Sequence, residues 1–135
     1  LPFNKVYCVV DRDEHKNFSN AVNMIKDKNL ELIISYPSFE YWYLCHFKYS
    51  RAPITRSGTR SSGDNCVATL NAEWKKVFGN EYEKNTENLY EILHDKLEIA
   101  LSNAAKSLKA AESEEESNPS TKVHILVDYL RKLKI

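Results

Sequence analysis

At 135 residues, with 42% hydrophobic and 28% charged side chains, the chain has the size and composition of one domain with a core of its own. Nineteen basic residues balance nineteen acidic ones, which excludes a uniformly basic nucleic-acid coat protein but leaves room for a local basic strip. No apolar run is long enough to span a bilayer and the N-terminus carries no basic-then-apolar signal pattern, so no membrane contact and a cytoplasmic location are expected.

The first element is Val6-Tyr7-Cys8-Val9-Val10, a β-branched run that predicts a strand buried on both faces, as in parallel sheets covered by helices. It runs into Asp11-Arg12-Asp13-Glu14-His15. Ligands of such sheets sit outside the carboxyl ends of the strands, and a D-x-D there offers two carboxylates to a hard cation such as Mg²⁺. The plainer alternative is a polar turn in which Asp11 or Asp13 caps the next helix. Phe18, Ala21, Val22 and Ile25 recur at helical spacing, with Lys26 and Lys28 suited to the helix C-terminus. Leu30 to Ser35 reads as a second strand, completing a right-handed β-α-β unit with parallel strands. The chain opens on Leu1-Pro2 rather than Met and shows only two convincing strands, so a fragment lacking earlier strands is expected.

Pro37 ends the second strand, and Ser38 is the expected N-cap of a helix bearing Phe39, Tyr41, Trp42, Tyr43 and Phe47. The aromatics read as core. Glu40 reads either as part of the cap or, because it emerges at the same sheet edge as Asp11 and Asp13, as a direct or supporting metal group. Residues 48–65 lose periodicity and carry Lys48, Arg51, Arg56 and Arg60 against a single acid, which predicts a solvated linker or a basic flap for phosphates. Val67, Leu70, Trp74 and Val77/Phe78 form an amphipathic stripe closed by Gly79. A long helix is expected from Asn85 or Thr86 through the stripe Leu89, Leu93, Leu97, Leu101, Ala104 and Leu108, with His94 beside it at the surface or as a satisfied core group. The acidic run from Glu112 to Ser117 reads as a solvated link. Asn118 as N-cap with Pro119 at the first helical position predicts a last helix buried through Val123, Leu126/Val127, Leu130 and Leu133. Its exposed N–H groups could also receive a phosphate, and His124 faces the sheet edge or solvent. Cys8, Cys45 and Cys66, widely spaced and without C-x-x-C, read as reduced thiols, with Cys8 and Cys45 as core filler, which argues against a zinc site.

Three segments in order carry a resemblance: the strand ending Asp11-Arg12-Asp13-Glu14-His15, the stretch Ser35 to Phe47, and Asn118-Pro119-Ser120-Thr121-Lys122-Val123-His124. Together they resemble the RloB-like proteins, over essentially the whole chain. The resemblance implies an α/β domain with a Toprim-like parallel β-sheet flanked by helices and a helical C-terminal half. It would form a single domain over residues 1–135, divided into a βαβα core (1–47), a basic flexible loop (48–65) and a helical part (66–135). Toprim domains pair a glutamate after an earlier strand with a later D-x-D to hold Mg²⁺. Asp11 and Asp13 match the D-x-D, whereas the glutamate has no match, so this piece alone is expected to be inactive.

The expected function is a Mg²⁺-dependent (or Mn²⁺-dependent) nuclease, or nuclease-derived subunit, of an abortive-infection or restriction-linked anti-phage system. In that reading Asp11 and Asp13 hold the metal and Glu14 or Glu40 orients a second ion or water. His15 moves a proton, and Arg51, Arg56 and Arg60 contact the nucleic-acid backbone. The alternative is a non-catalytic defence accessory that binds a partner protein through its helical half.

Overall fold

A computed structural model describes residues 5–13, 18–25 and 30–133. Strand β1 (Val6–Asp11) leads to helix α1 (Phe18–Ile25) and strand β2 (Leu30–Tyr36). The two strands are parallel and in register from Val6 opposite Leu30 to Asp11 opposite Ser35, as a β-α-β unit requires. Helices α2 (Glu40–Cys45) and α3 (Ser62–Phe78) follow, then α4 (Leu89–Leu93), a 3₁₀ turn (His94–Lys96) and α5 (Leu97–Glu114). Strand β3 (Ser120–Thr121) and helix α6 (Val123–Arg131) complete the order. Among the described residues the result is a three-stranded sheet, β1-β2-β3, flanked by helices.

The sheet is mixed, not parallel throughout. β3 runs antiparallel to β2, pairing Thr121 with Ser35 and Ser120 with Tyr36, and Lys122 N–H extends the ladder to the Ile34 carbonyl at 2.9 Å. The expected helix start at Asn118-Pro119 is therefore replaced by a strand. Asn118 is not free to cap a helix, because its side-chain amide accepts from Ile54 N–H (3.1 Å) and donates to Ile54 C=O (2.9 Å). Helix α6 begins later, with Val123 N–H donating to the Thr121 hydroxyl at 3.1 Å. So the part beyond residue 66 is not purely helical.

Other departures have equally local causes. α3 starts inside the segment expected to be a loop, because Ser61 and Asp64 form a reciprocal capping box, the Ser61 hydroxyl accepting from Asp64 N–H at 3.0 Å and the Asp64 carboxylate from Ser61 N–H at 3.2 Å. Gly79 closes that helix at φ 75°, as its sequence position predicts. The leucine stripe from Leu89 to Leu108 is broken by the 3₁₀ turn, with Leu93 and Leu97 buried on either side, and neither Gly nor Pro marks the break. The acidic run extends α5 as far as Glu114, and only Glu115, at φ 54°, turns the chain.

The core lies between the sheet and α2, α3 and α5, around Ile33, Tyr41, Leu44, Leu70, Trp74 and Ala100. β1 departs from its expected burial: among the described residues it lies at the sheet edge, with Val6 44% and Val9 45% exposed. Cys8 is likewise exposed rather than core filler, whereas Cys45 and Cys66 are buried.

Candidate functional site

The carboxyl end of the parallel strand pair gathers the acidic groups. Asp11 is the last residue of β1. Beyond it the chain stays on β2, with Arg12 N–H donating to Ser35 C=O and Asp13 N–H to Pro37 C=O, both at 2.9 Å. The Asp11 carboxylate accepts from Phe39 N–H at 2.8 Å. It thus supplies from another strand the acceptor that the first turn of α2 needs. The cap predicted of Ser38 is not made, because the Ser38 hydroxyl donates instead to Glu40 Oε1 at 3.0 Å.

Asp13 sits at φ 46°, a left-handed conformation that Asp tolerates better than most residues. Its carboxylate accepts from the hydroxyl of Ser62, the first residue of α3. Glu40, in the first turn of α2, is 7% exposed, and its Oε2 accepts from the Tyr82 hydroxyl at 3.0 Å. A carboxylate from β1, one from the turn after it and one from α2 therefore lie at the same end of the strand pair, each held by a donor from a different segment.

Electrostatics tie the group together. Asp11 keeps a solvent-facing side, but partial burial of its carboxyl raises the pKa above the usual carboxylate range; the Phe39 N–H opposes this, and the negative charges of Glu40 and Asp13 reinforce it. Lys84 pulls it back down. Cys66, fully buried beneath, is pushed up to about 12, first by burial and further by the charges of Glu40 and Asp11, so it stays a thiol. Tyr82 is raised by burial and by the adjacent Glu40, so its hydroxyl remains a donor. The donor set is all oxygen, which suits Mg²⁺, a cation that needs only one or two protein carboxylates and keeps several waters. Among the described residues no group of three or more His, Cys, Asp or Glu side chains is placed to enclose a metal by itself. Glu14 and His15 lie outside the described residues.

The basic residues divide. The Arg51 guanidinium, 12% exposed, donates to the carbonyls of Pro119 and Glu116 (2.7 Å to the latter) and pairs with Glu114 at 3.2 Å. It clamps the segment before β3 through its two terminal nitrogens, while its buried Nε has no hydrogen-bond partner among the described residues. Arg56 and Arg60 are exposed in the turn after it, where Ser57 pairs with Arg60 around Gly58. Ser38, Ser62, Tyr82, Cys66 and Lys84 were not indicated by the sequence pattern. Ser62 and Tyr82 reach the acids across 49 and 42 residues, and only Ser38, two residues from Glu40, left a local signal.

These features define an α/β domain with three carboxylates at one end of a parallel strand pair. The chain belongs to the RloB-like protein family, whose family model matches residues 1–130. No curated protein and no solved structure matches it. Family membership suggests a role linked to restriction and phage defence. Among the described residues no helix is long and apolar enough to cross a membrane.

Proposed function

We propose that the chain is the metal-binding, phosphodiester-cleaving component of a restriction-linked or abortive-infection defence system, with a Toprim-like catalytic edge. The observation that carries this reading is the placement of Asp11, Asp13 and Glu40 at the end of the parallel strands, with the Asp11 pKa raised first by burial and further by the charges of Glu40 and Asp13. Among the described residues these three carboxylates form no salt bridge and only Lys84 offsets the charge at Asp11, so gathering them is costly and a divalent ion would relieve that cost.

In this reading Asp11 and Asp13, each with one contact already made to Phe39 N–H or the Ser62 hydroxyl, would hold Mg²⁺ or Mn²⁺. When bound, the ion supplies Lewis-acid stabilisation of phosphoryl and leaving oxygens. Glu40 orients the attacking water. Arg56 and Arg60 steady the nucleic-acid backbone as point contacts to phosphate, while Arg51 holds the segment that carries them. Glu14 and His15 follow directly in sequence as candidates for a second acceptor and a proton carrier. The test is calorimetric titration with Mn²⁺ alongside phage challenge, for the wild type and for Asp11→Asn/Asp13→Asn. A saturable site and phage protection that both disappear in the double variant are expected. Undiminished protection in that variant would sink the catalytic reading.

One observation favours a second reading, a non-catalytic accessory that binds a partner protein. An apolar cleft of about 330 Å³ opens between α2, α4 and α6, walled by Phe39, Tyr43, Leu93 and Leu126. Leu130, 54% exposed, lies on its rim. Protection that survives loss of the carboxylates but fails on Leu130→Glu would favour it.

A further inference from the structure

Glu40 is held from two sides by hydroxyls that the reaction outlined above does not use. Ser38 Oγ donates to Oε1 and Tyr82 OH to Oε2, both at 3.0 Å and both buried. A carboxylate accepts about four hydrogen bonds, so one donor on each oxygen fixes its plane and leaves a free lone pair on each. Tyr82 does not arrive by chance of the loop. After Gly79 turns the chain, Asn80 accepts from Trp74 Nε1 at 2.9 Å, and Tyr82 N–H donates to Asn71 Oδ1 at 2.8 Å. Two asparagine contacts thus fold the segment back along α3 and deliver the hydroxyl to Glu40.

The ring of Tyr82 packs on Trp74 (centroids 5.5 Å) and Tyr43 (5.7 Å), which a phenylalanine would do equally well. The hydroxyl is the extra part, and among the described residues its one hydrogen-bond partner is the carboxylate. An apolar pair at positions 40 and 82 would stabilise this core better than a buried acid and its donors. We propose that Tyr82, together with Ser38, is a positioning residue that fixes the Glu40 carboxylate in one orientation beside Asp11, as the acceptor that would orient the attacking water. This rests on the metal reading above for its purpose, though not for its geometry.

The experiment uses Tyr82→Phe and Ser38→Ala in the full chain, so that one variant serves if the other does not fold. Circular dichroism establishes the fold. Mn²⁺ affinity is measured by calorimetry and electron paramagnetic resonance, and the Glu40 rotamer by three-bond ¹³C couplings. Groups in the outer shell of a metal site are worth about 10–100-fold in metal affinity. Glu40, beside the ligands rather than among them, belongs to that shell, so roughly a 10-fold weaker Mn²⁺ site is expected when either variant frees it, with Glu40 averaging over rotamers. A folded variant with unchanged affinity and an unmoved Glu40 overturns the proposal and leaves the metal reading intact. A wild type that takes up no Mn²⁺ overturns the metal reading instead. The couplings then decide the positioning: a fixed Glu40 that averages in the variants upholds it, and one unchanged by them refutes it.

Discussion

Replacing Asn118 by alanine is expected to be among the most damaging single changes in the molecule, although it lies outside the acidic site. Its amide closes a two-bond ring with the backbone of Ile54, 64 residues away, and both groups are buried. Asn118→Ala leaves one N–H and one C=O without a partner. A buried group orphaned in this way costs about 1–3 kcal/mol, so the pair sums to about 2–6 kcal/mol where water reaches neither. For a domain of this length that corresponds to a fall in Tm of roughly 6–30 °C. Asn103→Ala provides the internal scale, because it removes a single buried bond, from Asn103 Nδ2 to the Cys45 carbonyl at 2.8 Å. Thermal and urea denaturation of both variants should show Asn118→Ala losing about twice as much as Asn103→Ala. A loss for Asn118→Ala no larger than for Asn103→Ala would refute the staple, and with it the account of how the segment bearing Arg56 and Arg60 is anchored.

Asp11→Asn should stabilise the fold modestly at neutral pH. The raised Asp11 pKa means that the ionised carboxyl is disfavoured in the folded state above that pKa. An amide oxygen still accepts from Phe39 N–H, so a gain of no more than about 1 kcal/mol is expected at this solvent-facing position, read as an increase in Tm. His46 should give acid sensitivity: burial lowers its pKa to about 4, while the unfolded chain titrates near 6.5. Between those values the unfolded state binds the proton and the folded state does not, so stability falls as pH drops from about 6.5 to about 4, by up to about 3 kcal/mol. Urea midpoints at pH 7 and pH 4.5 would measure it, and His46→Gln should flatten the dependence; His124, also lowered by burial, adds a slope of the same sign. Arg56→Ala with Arg60→Ala should weaken binding to any nucleic-acid sequence alike and reduce the salt slope of log K by about two phosphate contacts. An unchanged slope in fluorescence anisotropy would remove those arginines from the interface.

What could be read from the sequence was local. β1 and β2 follow from β-branched runs, the C-terminus of α3 from Gly79, and the position of the acids at the strand end from the D-x-D itself. The hidden parts depend on partners far away in the chain. Asn118-Pro119 carries a strong helix-start signal, yet the Ile54 backbone claims the asparagine, and two residues are too few for Ser120–Thr121 to announce a strand. Arg51 looks the same as Arg56 and Arg60 in sequence, and only the carbonyls of Glu116 and Pro119 separate it from them. The hydroxyls on Asp13 and Glu40 were invisible for the same reason, since Ser62 and Tyr82 have no periodic or local relation to the residues they serve.

Strand β2 lies between β1 and β3, and its partner Thr121 comes 86 residues after Ser35. At synthesis rates of about 5–20 residues per second, that separation is a wait of roughly 4–17 s on the ribosome. Throughout it, β2 offers neighbouring chains an apolar strand with one open edge. The pairing that buries the Ser35 and Thr121 hydroxyls against each other therefore also ends the nascent chain's period of greatest exposure to aggregation. A polypeptide cut short before Ser120 would remain in that exposed state, with its acidic residues in place and its sheet unfinished.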